Sequence, residues 1–397
     1  MQSNLVNYFK HLPVEVIMVL LESARGISAV SIYMLVLVDK SFHRHVSRCM
    51  RKRDITRLLC CDDVVREGHL NILKWGHDTG YKMYTFFPGS ECQIAAKNGD
   101  LETLKWLHEN GFAWNYKTTV NAAQKGHLEI LKFARQHGCE WNKYICCYAA
   151  ENGHMEVLKW AHENGCPWDA ETCADAASSG HFELLKWAHE NGCPWNEKTC
   201  ENAAACGHLE ILQWARENEC PWDEQVCSNA ALNGCFEVLK WAHENDCPWD
   251  EQTCSNAAFN GCFEILKWVH ENDCPWDEQT CSNAALFGYF EILKWAHEND
   301  CPWDAETCAC AARNGHFEIL KWARTNECPW NEKTCAMAAH GGQFEILKWA
   351  RKNGCPWDKE TCANAAAYGY PKILEWAESN GCEREDILSR LRHDRSL

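Results

Sequence analysis

The residues best equipped for chemistry are cysteines and histidines at fixed spacing. From Cys247 to Cys281 the chain reads CPWDEQTCSNAAFNGCFEILKWVHENDCPWDEQTC, with Cys247 and Cys254 seven apart and Cys274 and Cys281 seven apart again. His243, His270 and His297 recur near them, and Asp250 and Asp277 follow each Pro-Trp. Such a pattern could hold a string of thiolate metal sites, or a ladder of disulfides drawn from the 28 cysteines. Three observations weigh against metal. Paired zinc ligands are usually separated by about two to four residues, fewer than here. Tyr81 and Phe112 occupy the first cysteine column in early repeats, and Thr119 occupies the second. Phenylalanine cannot ligate. Disulfides within one column are also awkward, because stacked helices lie about 8–10 Å apart and a bridge needs Cα atoms within roughly 7 Å. The cysteines therefore read as buried, small, apolar packing residues, with no metal and no cofactor expected.

The histidines read in the same way. His162, His189, His243, His270 and His297 share a column with Arg135, Arg216, Arg324 and Glu378, which suggests a solvated helix end. No Ser/His/Asp set, glycine-rich phosphate loop or carboxylate pair breaks the repeat in one place. The chain is expected to bind rather than catalyse.

The elements that position these residues follow from the glycines. Gly99, Gly126, Gly153 and their successors to Gly369 recur every 27 residues, and Gly68 precedes them by 31. About a dozen repeats result, from near Thr56 onward, and a fixed period of this size predicts a solenoid. Each repeat reads as two short helices. Asp250 and its equivalents are always Asp or Asn, which cap helix N-termini by accepting from free N–H groups. The first helix runs through Ala257-Ala258 and stops near Gly261. The second, Cys262 to His270, carries a broad apolar stripe of Phe263, Ile265, Leu266, Trp268 and Val269, with Glu264 and Lys267 placed to pair. Pro275 blocks its extension. All 21 tryptophans fall in two columns of the repeat, which reads as core.

Composition narrows the partners. The net charge of −17, from 39 basic and 56 acidic residues, disfavours nucleic acid and anionic membrane. Met1 to Lys10 is polar, so no secretory leader is expected. The longest uncharged apolar run near the start, Gly26 to Val38, falls short of the roughly 20 residues a membrane helix needs. A soluble, monomeric, cytoplasmic protein is expected, with the nucleus as the alternative.

The frame TCSNAAFNGCFEILKWVHENDC, Thr253 to Cys274, resembles the ankyrin repeat: Thr253, Ala257-Ala258, Gly261, Glu264 and Ile265-Leu266 fall in register with that family's pattern. NGHFEILKWARTNEC, Asn314 to Cys328, is closer still. The family's repeat has about 33 residues, and the shorter period here is similar to versions in large DNA viruses of protists and some algae. The resemblance implies an all-α ankyrin-type solenoid over residues 54–382 that binds a protein target, with a cap at 383–397. It also implies that the residues between Ala-Ala and Gly border the binding groove. There Leu232, Phe259, Leu286 and Phe287, with Tyr289 nearby, form an apolar ridge and are the expected partner site.

Residues 1–53 do not repeat. Leu12-Pro13-x-Glu15, an apolar helix from Val16 to Leu21, and Leu37-Val38-x-Lys40-x-Phe42 resemble an F-box. The resemblance implies docking on the Skp-type linker of a ubiquitin ligase, with Leu12, Pro13, Ile17, Leu20 and Val38 as contacts. The alternative is a helical cap on a plain ankyrin scaffold.

Overall fold

The computed structural model describes residues 61–78 and 87–383. The F-box-like segment, with Leu12, Pro13, Ile17, Leu20 and Val38, lies outside the described residues, as do residues 384–397. Among the described residues, all regular structure is helical. The chain divides into two compact parts, Met1–Pro194 and Trp195–Leu397.

Both parts are built from the same helix pair. In the first part, one repeat joins Tyr144–Glu151 to Met155–Glu163, and the next joins Ala170–Ser178 to Phe182–Glu190. In the second part, Glu251–Phe259 pairs with Phe263–Glu271. The first helix starts where a carboxylate or amide replaces the missing carbonyl partners: Asp250 accepts from the Gln252 N–H at 3.1 Å, and Asp169 from the Glu171 N–H at 3.2 Å. It ends in a Schellman turn. Beyond Glu151, Gly153 takes φ 71°, its N–H bonds Ala150 at 3.2 Å, and the His154 N–H bonds Ala149 at 2.8 Å.

Burial is concentrated in small residues. Thr253, Cys254, Ala257 and Ala258 on the first helix, and Leu266 and Val269 on the second, are fully buried. Small side chains let the first helices of successive repeats lie close together within each part. The second helix contributes the larger aliphatics that seal the pair. On its outer side the Glu–Lys pairing is present: Lys240 lies 3.3 Å from Glu237, and Lys294 lies 2.9 Å from Glu291. The same lysines cover a ring at the helix start, Lys240 over Phe236 at 3.9 Å and Lys267 over Phe263 at 4.0 Å.

The tryptophan columns are not core. Trp249 and Trp268 are half-buried, and they meet edge-to-face at 6.0 Å. Second helices that start with Phe also set that ring against the next second helix, as Phe263 does with Trp295 at 5.6 Å. An indole is too wide for the narrow space between two small-residue helices, so it packs along the outer seam.

Candidate functional site

The first helices end in the positions that vary most. Phe259 and Phe287 close two successive ones. In three repeats of the second part Asn follows the column that holds Phe259, at Asn233, Asn260 and Asn314. Phe287 replaces that Asn, and its helix runs one residue longer, Glu278–Phe287, before Gly288. The rings of Phe259 and Phe287 meet edge-to-face at 4.5 Å while remaining 41% and 39% exposed. Two aromatic side chains thus spend their contact on each other and still present apolar area to solvent.

Of the other ridge residues, Leu232 and Leu286 are half-buried. Tyr289 is half-buried too, and its ring fills the space in front of Gly261, where an added Cβ would lie 2.6 Å from Cζ. Tyr289 stands in the column held elsewhere by His154 or His316, so it spaces neighbouring repeats while stacking on Phe287 at 6.2 Å. The histidines of that column bond the preceding repeat: His154 Nε2 lies 3.1 Å from Gln124 O, and His316 Nε2 lies 3.1 Å from Leu286 O.

The apolar face continues beyond the residues singled out from the sequence. A groove of about 650 Å³ runs past Leu286 and Phe287 to Arg313, His340, Tyr368 and Tyr370. Tyr368 is 53% exposed and packs on His340 at 3.9 Å. Burial and then the nearby Arg313 guanidinium push the His340 imidazole below its usual value. Arg313, His340 and Tyr368 sit in the same variable positions as Phe259 and Phe287. Their position was the signal, and their polarity hid them.

Two clusters with chemical potential resolve into packing. His243, expected at a solvated helix end, stacks flat on Trp249 at 3.9 Å. In repeats with arginine there, Arg324 lies over Trp330 at 4.4 Å and also donates to Cys328 O. Histidine and arginine interchange because both are flat and both stack on indole. The other cluster is Cys147, Asp169 and Glu171, whose donor atoms lie within 4.8 Å of one another. Lys143 already neutralises both carboxylates, at 2.6 and 3.1 Å.

The cysteines of the two main columns are buried thiols, Cys247, Cys254 and Cys274 among them. Burial pushes the Cys92 and Cys139 thiols up to about 12. Among the described residues, no helix is long and apolar enough to cross a membrane.

Residues 92–135 and 173–216 match the family model described as ankyrin repeats (many copies). No curated protein matches the chain. Among solved structures, the human ASB11 ankyrin repeat domain is 17% identical over 40% of this chain and 84% of that one, with a TM-score of 0.34. Helix pairs closed by a left-handed glycine, small first-helix interiors and the matched segments lead to one assignment: residues 92–135 and 173–216 carry ankyrin repeats, a module whose general activity is protein–protein interaction, and all regular structure in the described residues around them is helical.

Proposed function

We propose that this chain is a non-catalytic recognition protein, and that it takes hold of a protein target at the face carrying Phe259 and Phe287. The single observation behind this is that pair of exposed, mutually packed rings in variable positions. Aromatic side chains held rigid by one another make strong anchors, because little side-chain freedom is lost when a partner covers them. Tyr289 stacks beside Phe287, and the half-buried Leu232 and Leu286 complete the apolar ridge in sequence.

Within that reading the chain serves as the target-selecting subunit of a ubiquitin ligase. Residues 1–53 dock the Skp-type linker through Leu12, Pro13, Ile17, Leu20 and Val38, and the array at 54–382 selects the target. The support for this step is the Leu12-Pro13-x-Glu15 motif and its apolar sequel in the sequence.

Two variants separate the steps. F259S/F287S should lose at least about tenfold of target capture. Its melting temperature should stay within about 2 °C of the parent. A large drop in melting temperature would make the rings structural and end the binding proposal. L12D/I17D should abolish co-purification with a Skp-type linker and leave target capture intact. If the parent chain itself fails to bind the linker, the chain is a scaffold without a ligase role.

A further inference from the structure

The structure joins cysteines that the sequence keeps apart. The first-helix cysteine of a repeat meets the cysteine that closes the same repeat, 20 residues later. Cys254 Sγ lies 3.9 Å from Cys274 O, and Cys362 Sγ lies 3.7 Å from Cys382 O. Cys362 and Cys382 share one buried cluster with Ala377. The closing cysteine of each such repeat donates in turn to the backbone before its first helix, Cys274 to Asp250 O at 3.5 Å and Cys355 to Asn331 O at 3.4 Å. The arrangement recurs because the helix pair recurs: the first helix leaves beside the point where the second helix arrives.

We propose that these thiol pairs are disulfide-forming sites, one inside each repeat from Cys146–Cys166 to Cys362–Cys382, closed by exchange with a low-molecular-weight disulfide. One cysteine, as thiolate, attacks a sulfur of the small disulfide. The S–S bond breaks, a mixed disulfide forms, and one small thiolate leaves and takes up the proton that the cysteine lost. The second cysteine then gives up its proton and attacks the protein-side sulfur. The new bond joins the two cysteines, and the second small thiolate leaves with that proton. The two protein thiols supply two electrons, and the small disulfide is reduced to two small thiols.

Two features set the behaviour of the sites. Both sulfurs of each pair are buried, so exchange waits for local opening of a repeat rather than for diffusion of the reagent. The pairs are also alike: the partner thiol and then burial raise both Cys254 and its equivalent Cys335, so no repeat is singled out. Each bridge ties the start of a first helix to the end of its own second helix and leaves the neighbouring repeat unlinked. A reducing compartment keeps the ladder open and an oxidising one closes it.

The test uses the full chain, incubated with glutathione disulfide or with dithiothreitol, then alkylated, digested and mapped by mass spectrometry. The exposed Cys206 reports whether the oxidant acts, by forming a mixed disulfide. The expected result is intrachain linkage of cysteines 20 apart, Cys254–Cys274 and Cys335–Cys355 among them. The melting temperature should rise by about 5 °C or more, reversibly on reduction. C335S/C355S should remove that linkage and keep Cys254–Cys274. If that variant does not fold, the map of the parent chain decides alone. The proposal is overturned if Cys206 is modified while the pairs stay reduced, even just below the melting temperature, or if linkages form only at other spacings.

Discussion

After its first helix a repeat turns through Gly153, and after its second through Gly165, with φ of 71° and 77°. Both turns make the same two bonds. The Gly165 N–H reaches His162 at 3.0 Å and the Cys166 N–H reaches Ala161 at 2.9 Å, as Gly153 and His154 do one turn earlier. Their sequences nevertheless obey different rules. The first turn keeps glycine in every repeat from Gly99 to Gly369. At the second, Glu219, Asp246, Asp273, Asp300 and Glu327 replace it and still hold φ of 62–66°. The difference lies in the neighbour. A Cβ on Gly153 would stand 2.6 Å from Cε1 of His181 in the next repeat, whereas a Cβ on Gly165 would meet nothing within 4 Å. Left-handed backbone alone does not demand glycine in this chain; at Gly153 the adjoining repeat does, whereas Gly369 keeps glycine with nothing within 4 Å of its Cβ position.

The comparison can be broken most forcefully at Gly153. Gly153→Ala should lose about 2–4 kcal/mol in denaturant unfolding, combining left-handed strain with overpacking against His181. Adding His181→Ala should recover the overpacking share and leave the strain. If Gly153→Ala costs no more than Gly165→Ala, the neighbour is irrelevant. The second turn should show strain by itself: Gly165→Asp should lose about 1–2 kcal/mol. The reverse change, Asp273→Gly, should gain about 1 kcal/mol, since it also removes a negative charge from a helix C-terminus. No gain at Asp273 would mean its carboxylate makes a compensating contact.

The opposite end of the first helix offers a milder contrast. Asp250→Ala should lose about 1 kcal/mol with its cap, while Asp250→Asn should stay close to neutral, as the amide at Asn331 caps in the same way. Equal losses for both would point to the charge rather than the hydrogen bond.

The smallest effect concerns Asp175, which stands where Asn256 donates to Ser228 O at 3.1 Å. Burial, followed by Glu151, Glu171 and Asp169, pushes its carboxyl from 3.8 to about 6. The folded state therefore favours the protonated form. That preference supports stability in full below the unfolded value and is lost as pH rises through the folded one. Asp175→Asn should melt about 1–2 °C above the parent at pH 7 and level with it near pH 4. A difference independent of pH would assign the gain to the amide's hydrogen bond.

The candidate site was legible in part because it depends on position within a repeat. Phe259 and Phe287 stood out as apolar residues in variable positions, and both proved exposed. Tyr289 was singled out with them, yet its ring serves the stacking of repeats in the column of His154. Tyr368 and Arg313 went unmarked: their positions were recognised, but nothing in their types showed that one groove would collect them with Phe287.

What the sequence alone determined are features that act within a few residues. From Cys166 onward, the Asp or Asn before each first helix, the glycine after it and the proline after the second helix set the boundaries of the pairs, because caps and backbone preferences are local. The even recurrence every 27 residues made a solenoid the only economical way to bury the apolar stripes. The tertiary structure decided everything that joins residues some 20 to 30 positions apart. It set Cys254 against Cys274, placed Trp268 edge-on to Trp249 and His181 in front of Gly153, and left Phe259 and Phe287 facing outward together. Those relations follow from the distance and rotation between packed helices, which depend on how closely small residues such as Ala257 and Ala258 let one helix approach the next.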